Sequence, residues 1–309
     1  MPKTAAILVN YNGSNDTIEC VESLLDQFVP THKIIIVDNY SPNNDYEILQ
    51  EKFARSPSIV VLKSLKNGGL AYGNNFGIKY AMKHFKPDFF LLINNDTIAD
   101  KHLHEELLKA YGRFKDQKIG IVTGKIYYYN EKDKIWFDGG YFSKLKCSGY
   151  HFNYDEYDTA NNDEMREITF ATGCLWFVPA EVFEEVDLLP EEYFLYLEDT
   201  DYCLKLQRKG YKIIYNPNAK IWHKVGASSG STKKTPKYYW MNRNRIILCK
   251  KYFGTFRAYL FTFGFLIPTR LIRFFQFLMK GKLVNTFEGI IDGLKFRVNK
   301  SSMEGEVNG

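Results

Sequence analysis

A carboxylate stands where an uncharged apolar run ends, at Asp96. The run, from Phe89 to Ile93, contains five large apolar residues, which is typical of a strand buried on both faces of a parallel sheet. In open α/β sheets ligands bind beyond the carboxyl ends of the strands, so Asp96 is predicted to face a binding crevice. The alternative is that Asn95, Asp96 and Thr97 only cap a helix beginning near Ala99.

A second group of carboxylates, Glu198, Asp199 and Asp201, follows an aromatic and apolar run and opens a predicted helix. A carboxylate at the mouth of the crevice can act as a general base, a role worth about 10²- to 10⁴-fold in rate. Alternatively, the three charges only complement the dipole of the helix. His223 follows a later apolar segment, where a lone histidine is more often structural than a ligand.

The segments that must position these side chains alternate between strands and helices. Strands are predicted at Ala5–Val9, Lys33–Val37, Ile59–Leu62, Phe89–Ile93, Ile119–Val122 and Tyr211–Tyr215. Helices are predicted after an N-cap at Asn15 or Asp16 with Leu25 on the apolar face, after the loop at Asn67 up to about His84, and from about Lys101 to Lys115. This alternation indicates an α/β fold with a mostly parallel sheet flanked by helices. Asn10 and Asp38 end the first two strands, so three strands place Asn or Asp at one edge of the sheet.

A glycine-containing loop, Asn67-Gly68-Gly69, precedes the second of these helices. Glycines let the backbone approach a ligand closely, and a helix N-terminus favours an anion such as phosphate. The chain has no GxxxxGK[ST] sequence, and no GxGxxG opens the helix after the first strand. A plain turn is the alternative reading of this loop.

The length and composition of the chain indicate which class of protein it belongs to. The chain has 309 residues, 45% of them hydrophobic, which is enough for one large domain or a core domain with an appendage. The N-terminus does not have the pattern of a signal peptide. Five scattered cysteines without CxxC spacing favour free thiols in a reducing cytoplasm over a zinc site or a disulfide framework.

The C-terminal part of the chain is basic and aromatic. Residues 233–309 carry fifteen Lys or Arg against four acidic residues, a net +11 that leaves −6 for residues 1–232. The uncharged stretch Ala258–Thr269 is too short to span a membrane, which takes about 20 residues. Interleaved aromatic and basic residues suit an interfacial anchor on an anionic membrane. The alternative is a helical extension that packs on the core or forms a dimer interface, whereas nucleic-acid binding lacks a motif.

Taken together, these motifs resemble those of the family 2 glycosyltransferases, inverting enzymes with the GT-A fold, over about residues 4–250. The resemblance implies a nucleotide-sugar site. The residues that it assigns to that site are Val9, Asn10, Tyr11, Asp38, Asn67, Gly68, Gly69, Asn94, Asn95 and Asp96.

The resemblance also implies a divalent cation, Mg²⁺ or Mn²⁺, and a general base. The Asp-x-Asp metal motif of the family falls on Asn94-Asn95-Asp96, so Asp96 takes the metal role with His223. Because Asn94 is neutral, the metal should depend more on the donor diphosphate. The Glu-Asp motif falls on Glu198 and Asp199, which are the implied catalytic pair with Asp199 as the base.

The implied protein is an inverting transferase with a GT-A catalytic domain at 1–250 and a helical, membrane-associating extension at 251–309. Rhamnosyltransferase-like members often have the same Asn-Asn-Asp form, so it does not imply loss of activity. From family likeness alone, the donor is expected to be dTDP-rhamnose or a UDP-hexose. The acceptor is expected to be a lipid-linked glycan of surface polysaccharide synthesis. The expected location is cytoplasmic, peripheral on the cytoplasmic face of the membrane, with self-association as an option. The alternative is a non-catalytic, membrane-attached glycan-binding member of the same fold.

Overall fold

The computed structural model describes residues 2–159, 164–225, 237–277 and 280–298. The described residues divide into two compact units, each with its own hydrophobic core. The first unit comprises the described residues within Met1–Tyr141, Gly149–Glu192 and Glu198–Ser231, and the second those within Phe142–Ser148, Tyr193–Leu197 and Thr232–Gly309.

The elements follow one another in a largely alternating order. The strands are β1 (Thr4–Asn10), β2 (Lys33–Asp38), β3 (Ile59–Lys63), β4 (Phe89–Ile93), β5 (Thr97–Ala99), β6 (Ile119–Tyr128), β7 (Ile135–Phe137), β8 (Gly140–Ser143), β9 (Ser148–His151), β10 (Arg166–Ile168), β11 (Leu175–Pro179) and β12 (Lys212–His223). The helices are α1 (Ser14–Leu25), α2 (Asp45–Phe53), α3 (Leu70–His84), α4 (Leu103–Arg113), α5 (Ala180–Glu185), α6 (Glu198–Arg208), α7 (Lys237–Phe253), α8 (Thr255–Phe261), α9 (Ile267–Phe277) and α10 (Lys280–Lys295). A π-helical turn, Thr262–Leu266, joins α8 to α9.

The main sheet has the strand order β10-β12-β6-β11-β4-β1-β2-β3, with β5 on β12 and β7 on β6. The strands β1, β2, β3 and β4 are parallel, and β12 is parallel to β6. Because β11 is antiparallel to both β4 and β6, those two strands share one direction. The carboxyl ends of β1, β2, β4 and β12 therefore lie at one edge, together with the amino end of β11. This confirms the predicted α/β class with a mostly parallel sheet.

Helix α3 packs closely against β1, because glycine faces the strand at two positions. A Cβ at Gly73 would lie 2.6 Å from Val9 Cγ1, and a Cβ at Gly77 would lie 2.7 Å from Ile7 Cγ2. These distances are shorter than van der Waals contact, so only glycine fits. The close packing fixes the start of α3, and with it the loop that ends at Gly69, beside the carboxyl end of β1.

Three sequence-based expectations about local structure were wrong. No helix begins near Ala99; β5 pairs antiparallel with β12 there, and α4 begins at Leu103. The short strand predicted to end at Tyr215 continues to His223 as the long strand β12. Helix α1 begins at Ser14, with Gly13 as its N-cap residue.

The second unit is built around α7. Its core consists of Cys147, Ile246, Cys249, Ala258, Phe261, Leu266 and Ile290. Lys250 Nζ donates to the carbonyl oxygens of Gly293, Leu294 and Phe296 at 3.0, 2.5 and 3.0 Å, which satisfies the end of α10. Of the helices described, none is both long and apolar enough to cross a membrane. The division into units places α7 outside the first unit, whereas the functional boundary at residue 250 stays a prediction.

Candidate functional site

Asn10 and Asp38 lie side by side at the carboxyl ends of β1 and β2. Asn10 Nδ2 donates to Asp38 Oδ1 at 2.9 Å, and the Asp38 carboxylate also accepts from Ser41 N at 3.1 Å and Ser41 Oγ at 2.5 Å. Both side chains are fully buried. The hydrogen bonds of Asn10 and Asp38 described here are thus made to other protein groups, and those of Asp38 hold the Ser41 loop in place. Their predicted contact with a nucleotide stays a prediction.

Thr17 of α1 connects this network to the end of β4. Thr17 Oγ1 donates to Asn10 Oδ1 at 2.8 Å and accepts from Asn95 Nδ2 at 2.9 Å. Asn95 is buried, whereas Asn94 is half-buried. Thus Asn95 serves to join β4 to α1 and β1, a link between residues 78 positions apart that the sequence did not reveal. Tyr11, half-buried in the loop after β1, lies on the same edge.

The loop Asn67–Gly69 is anchored next to the end of β2 by Asn39. Asn39 Nδ2 donates to Asn67 Oδ1 at 3.2 Å and to the Gly69 carbonyl at 3.1 Å. Gly69, with φ of 87°, has a left-handed conformation that favours glycine. At Gly68, a Cβ would lie 2.4 Å from the Tyr72 ring. The loop is thus held at the predicted edge, through an asparagine that sequence reasoning did not single out.

Asp96 and His223 are brought together by the pairing of β5 with β12. Lys224 N donates to the Asp96 carbonyl at 2.8 Å, and His223 Nε2 lies 3.1 Å from Asp96 Oδ1. Asp96 is 2% exposed and His223 7%. Burial lowers the pKa of His223, but Cys174 and Asp96 raise it by more, to about 10. The Asp96 carboxylate thus favours the protonated imidazole when no metal is bound, and a divalent cation that binds His223 would displace this proton.

The Asp96–His223 pair has the donor set for a divalent cation. His223 Nδ1 is buried and has no hydrogen-bond partner among the described residues, and the Trp136 ring lies edge-on to the imidazole at 4.7 Å between centroids. Carboxylate oxygen suits both Mg²⁺ and Mn²⁺, and a neutral imidazole nitrogen is a common metal ligand. Within the described ranges, His, Cys, Asp and Glu form no group of three or more that could hold a metal. The residues thus fit a cation that takes its remaining ligands from phosphates and water.

The acid pair Glu198 and Asp199 begins α6. Asp199 Oδ1 accepts from Thr200 N at 2.6 Å and from Thr200 Oγ1 at 3.2 Å, and Oδ2 accepts from Gly173 N at 3.2 Å. Glu198 Oε2 is buried without a hydrogen-bond partner among the described residues. Burial raises the pKa of both carboxyls, and the Asp199 charge raises that of Glu198 further, to about 8. The negative charge therefore belongs on Asp199 and the proton on Glu198.

The turn before β11 joins the two pairs. Gly173 N donates to Asp199, and the next residue, Cys174, accepts at its carbonyl from Asn94 N at 3.0 Å. Because β11 runs antiparallel, the residues before it lie at the same edge as the residues after β4. Sequence reasoning missed Gly173. The sequence feature that could have indicated it is a small residue shortly before an apolar run, whereas Asp96 shortly follows one.

Comparison with known proteins places the chain among glycosyltransferases. The family described as Glycosyl transferase family 2 matches residues 5–187, more than half of the chain. Glycosyltransferase GlyG of Streptococcus pneumoniae serotype 4 is 30% identical over 40% of this chain and 38% of its own length. The dTDP-rhamnosyl transferase RfbF of Shigella flexneri is 21% identical over 72% of this chain and 70% of its own length.

A third relative, the low-salt glycan biosynthesis hexosyltransferase Agl10 of Haloferax volcanii, is 23% identical over 67% of this chain. The matched region spans 62% of Agl10, and only 38% of GlyG, so these relatives extend beyond it.

Solved structures show the same fold. GalNAc-T7 with UDP, GalNAc and Mn²⁺ has a TM-score of 0.64 at 14% identity over 81% of this chain and 48% of its own. S. aureus TarS 1-349 in complex with UDP-GlcNAc has a TM-score of 0.60 at 16% identity over 94% of this chain and 80% of its own. At these identities the likeness shows the GT-A fold alone.

Proposed function

The chain belongs to glycosyl transferase family 2, and from that premise we propose that it transfers a sugar from a nucleoside-diphosphate donor to an acceptor hydroxyl with inversion at the anomeric carbon. The observation that carries the proposal is the arrangement of the sheet edge. There the Asp96–His223 pair and the Glu198–Asp199 pair are linked through the turn at Gly173 and Cys174. One edge thus offers a site for a leaving diphosphate and a base for the attacking hydroxyl.

In the proposed reaction the acceptor oxygen attacks C1 of the sugar as Asp199 takes the hydroxyl proton. The bond from C1 to the diphosphate oxygen breaks on the opposite face, so one displacement inverts the centre. Asp96 and His223 would hold a divalent cation, which when bound would stabilise the negative charge on the leaving diphosphate. The neutral Glu198 carboxyl keeps a second charge away from Asp199.

The proposed donor is dTDP-rhamnose or a UDP-hexose. The relative RfbF acts as a dTDP-rhamnosyl transferase by its name, and the TarS and GalNAc-T7 structures contain UDP or a UDP-sugar. The Mn²⁺ in the GalNAc-T7 structure supports a divalent cation, Mg²⁺ or Mn²⁺, as cofactor. The proposed acceptor is a lipid-linked glycan of surface polysaccharide synthesis, in line with the glycan biosynthesis role in the name of Agl10.

A donor screen tests the proposed activity. The full chain is incubated with dTDP-rhamnose, UDP-glucose, UDP-galactose or UDP-N-acetylglucosamine, each with Mn²⁺, Mg²⁺ or chelator. We expect release of nucleoside diphosphate from one donor, with the release stopped by chelator. If no donor turns over, calorimetric titration separates two cases: tight donor binding indicates a missing acceptor, and no binding favours a non-catalytic glycan-binding protein.

We propose further that the second unit binds an anionic membrane surface through α8 and α9. One side of α8 and of the π-helical turn after it is packed in the core through Ala258, Phe261 and Leu266. The large apolar side chains that are exposed on α8, the π-helical turn and α9, here called the α8–α9 face, are Phe256, Tyr259, Leu260, Phe263, Leu271 and Ile272. Residues 255–277 contain three arginines and neither Asp nor Glu. Exposed aromatic residues with only positive charge complement an anionic lipid surface, where a lipid-linked acceptor lies.

Vesicle binding tests this surface. The double variant Phe256→Glu/Leu260→Glu removes two side chains that are 78% and 58% exposed. We expect it to weaken binding to phosphatidylglycerol-containing vesicles at least about tenfold, because each apolar side chain contributes on the order of 1–2 kcal/mol when buried. Phe28→Glu is the matched control, since Phe28 is 65% exposed in the first unit. If the double variant bound vesicles as well as wild type, the face would not be a membrane surface. If wild type were a dimer that the variant dissociated, the face would be a dimer interface.

A further inference from the structure

An exposed aromatic side chain, Tyr154, stands in a loop whose backbone is firmly held. Asp155 N donates to the Ile135 carbonyl at 2.9 Å, and Asn153 Nδ2 donates to Asp138 Oδ2 at 2.7 Å. The residues on either side of Tyr154 both have left-handed backbones, with φ of 48° at Asn153 and 70° at Asp155. Asn and Asp adopt that conformation more readily than most residues. The loop therefore fixes the position of a ring that is 53% exposed.

A row of rings connects Tyr154 to the Asp96–His223 pair. The Tyr154 ring centroid lies 5.7 Å from that of His151, which lies 4.9 Å from that of Trp136. The Trp136 ring in turn lies 4.7 Å from the His223 imidazole. Trp136, His151 and Tyr154, here called the aromatic row, all belong to the first unit, as does His223. The aromatic row thus begins at the proposed cation site and leads to an exposed ring.

The middle of the aromatic row is rigid and uncharged. His151 Nδ1 donates to the Trp136 carbonyl at 2.8 Å, which fixes the orientation of the imidazole. Burial lowers the pKa of His151, so the ring is neutral at pH 7. Both His151 and Trp136 are half-buried. The aromatic row therefore offers partly exposed apolar surface that is ordered before any ligand arrives, and a ligand that packs on it loses little affinity to further ordering.

The charges of the loop are negative or paired. Residues 151–158 contain three acidic side chains and neither Lys nor Arg. Lys134 Nζ pairs with Asp155 at 3.0 Å, and Lys125 Nζ pairs with Asp158 at 2.8 Å. The loop thus contributes no positive charge that would attract an anionic lipid or a nucleic acid. A neutral sugar fits better, because its C–H groups can pack on aromatic rings and its hydroxyls can donate to carboxylates.

We propose that Tyr154 and Trp136 form a binding subsite for a neutral sugar ring of the acceptor glycan, next to the Asp96–His223 pair. Aromatic rings with a few polar groups beside them are the usual lining of a small-molecule site. Tyr154 supplies both features, since its ring is apolar and its hydroxyl can donate and accept hydrogen bonds. The inference rests on the proposed function, because it takes the acceptor to be a glycan.

Binding of methyl glycosides to the full chain tests the subsite. The probes are the methyl glycosides of rhamnose, glucose, galactose and N-acetylglucosamine, titrated into the protein and followed by saturation-transfer NMR. We expect at least one probe to bind wild type. Tyr154→Ala should raise the Kd of that probe by about fivefold or more, the order of magnitude that one aromatic contact contributes. Tyr154→Phe keeps the ring and should bind nearly as tightly as wild type.

Phe28→Ala is the matched control. Phe28 is 65% exposed, and it lies in the segment before β2, at the opposite edge of the sheet from Asp96 and His223. Its removal should leave the Kd of the glycoside unchanged. The inference is wrong if no probe binds wild type, if Tyr154→Ala binds the probe as tightly as wild type, or if Phe28→Ala loses as much affinity.

Calorimetric titration with UDP or dTDP and Mn²⁺ separates the subsite from the proposed function. Tyr154→Ala should bind the nucleotide as wild type does, and a comparable loss of nucleotide affinity would show a general structural effect and overturn the inference. Nucleotide binding without glycoside binding would overturn the subsite alone. Glycoside binding that depends on Tyr154, without nucleotide binding or donor turnover, would support the subsite and overturn the proposed transferase.

Discussion

Asp199→Asn lowers kcat for sugar transfer by an expected 10²- to 10⁴-fold, about the range that a general base contributes. Asparagine keeps the size of the side chain and can still accept from Thr200, but it has no negative charge with which to take the acceptor proton. Donor KM should change little, because the base acts on the acceptor. Steady-state kinetics of nucleoside diphosphate release in the presence of acceptor measure both quantities.

Glu198→Gln is the neighbouring control. Burial and the Asp199 charge raise the pKa of Glu198 to about 8, so the carboxyl is mostly neutral at pH 7 and glutamine resembles that form. We expect its kcat to stay within about tenfold of wild type, a far smaller change than for Asp199→Asn. Comparable losses in both variants would contradict the assignment of the base to Asp199 and give the role to the pair.

The pH profile checks the same assignment. Transfer needs the Asp199 carboxylate, whose pKa burial raises, so kcat should fall as the pH drops through a value above the ordinary 3.8 of aspartic acid. The free energy of unfolding depends on pH in the opposite direction. The raised pKa of Glu198 contributes stability that is present below its unfolded value of 4.5 and is lost as the pH rises through about 8. Glu198→Gln should therefore raise Tm more above pH 8 than at pH 4.

The strands that carry the site were readable from the sequence because they are covered on both faces. Residues Ile34–Val37 of β2 are at most 1% exposed, and the five residues of β4 are all buried. Such strands have no solvent face and so appear as uninterrupted apolar runs. Their ends are equally clear, since the change from apolar to Asn or Asp marks the edge where the crevice lies.

The direction of β11 was not readable from the sequence, and part of the site depends on it. An apolar run such as Leu175–Pro179 does not show whether the strand is parallel or antiparallel. Only the pairing with β4 and β6 brings Gly173 to the edge that holds Asp96. The three-residue strand β5 was hidden for a similar reason, because its partner β12 lies more than 110 residues further along the chain.

The hydrogen-bond partners of the polar residues also could not be predicted from the sequence. The sequence indicates that Asn10 and Asp38 end strands, but not that Ser41 and Thr17 satisfy them. Partner choice depends on side-chain positions set by packing over the whole unit. A residue type at a strand end therefore predicts a polar edge, and it does not predict which of the edge residues meets a ligand and which supports the loops.

Asp96→Asn lowers kcat/KM for the donor by an expected 10²- to 10³-fold, about the cost of removing one group that stabilises developing charge. Asparagine keeps the size of the side chain beside His223 but loses the charge that attracts a cation. Calorimetric titration with nucleoside diphosphate and Mn²⁺ gives a readout besides activity. We expect the affinity of wild type to fall when chelator replaces Mn²⁺, and the affinity of Asp96→Asn to be the same in both conditions.

Two further variants test whether the cation binds at Asp96. Asn94→Asp restores the first carboxylate of the Asp-x-Asp motif and should lower the Mn²⁺ concentration that gives the half-maximal rate. Asp100→Asn is the control. Asp100 is half-buried, accepts a hydrogen bond from His102 N at 2.9 Å, and is separated from Asp96 by strand β5. It should leave the metal dependence unchanged.

The decisive comparison is whether the two losses add. If the cation binds at Asp96, removing the metal and removing the carboxylate abolish the same interaction, so chelator should cost Asp96→Asn nothing further. If the losses add instead, the cation binds elsewhere and Asp96 acts through His223. In that case Asn94→Asp should also fail to change the metal requirement, because its carboxylate would have no cation to bind at this edge of the sheet.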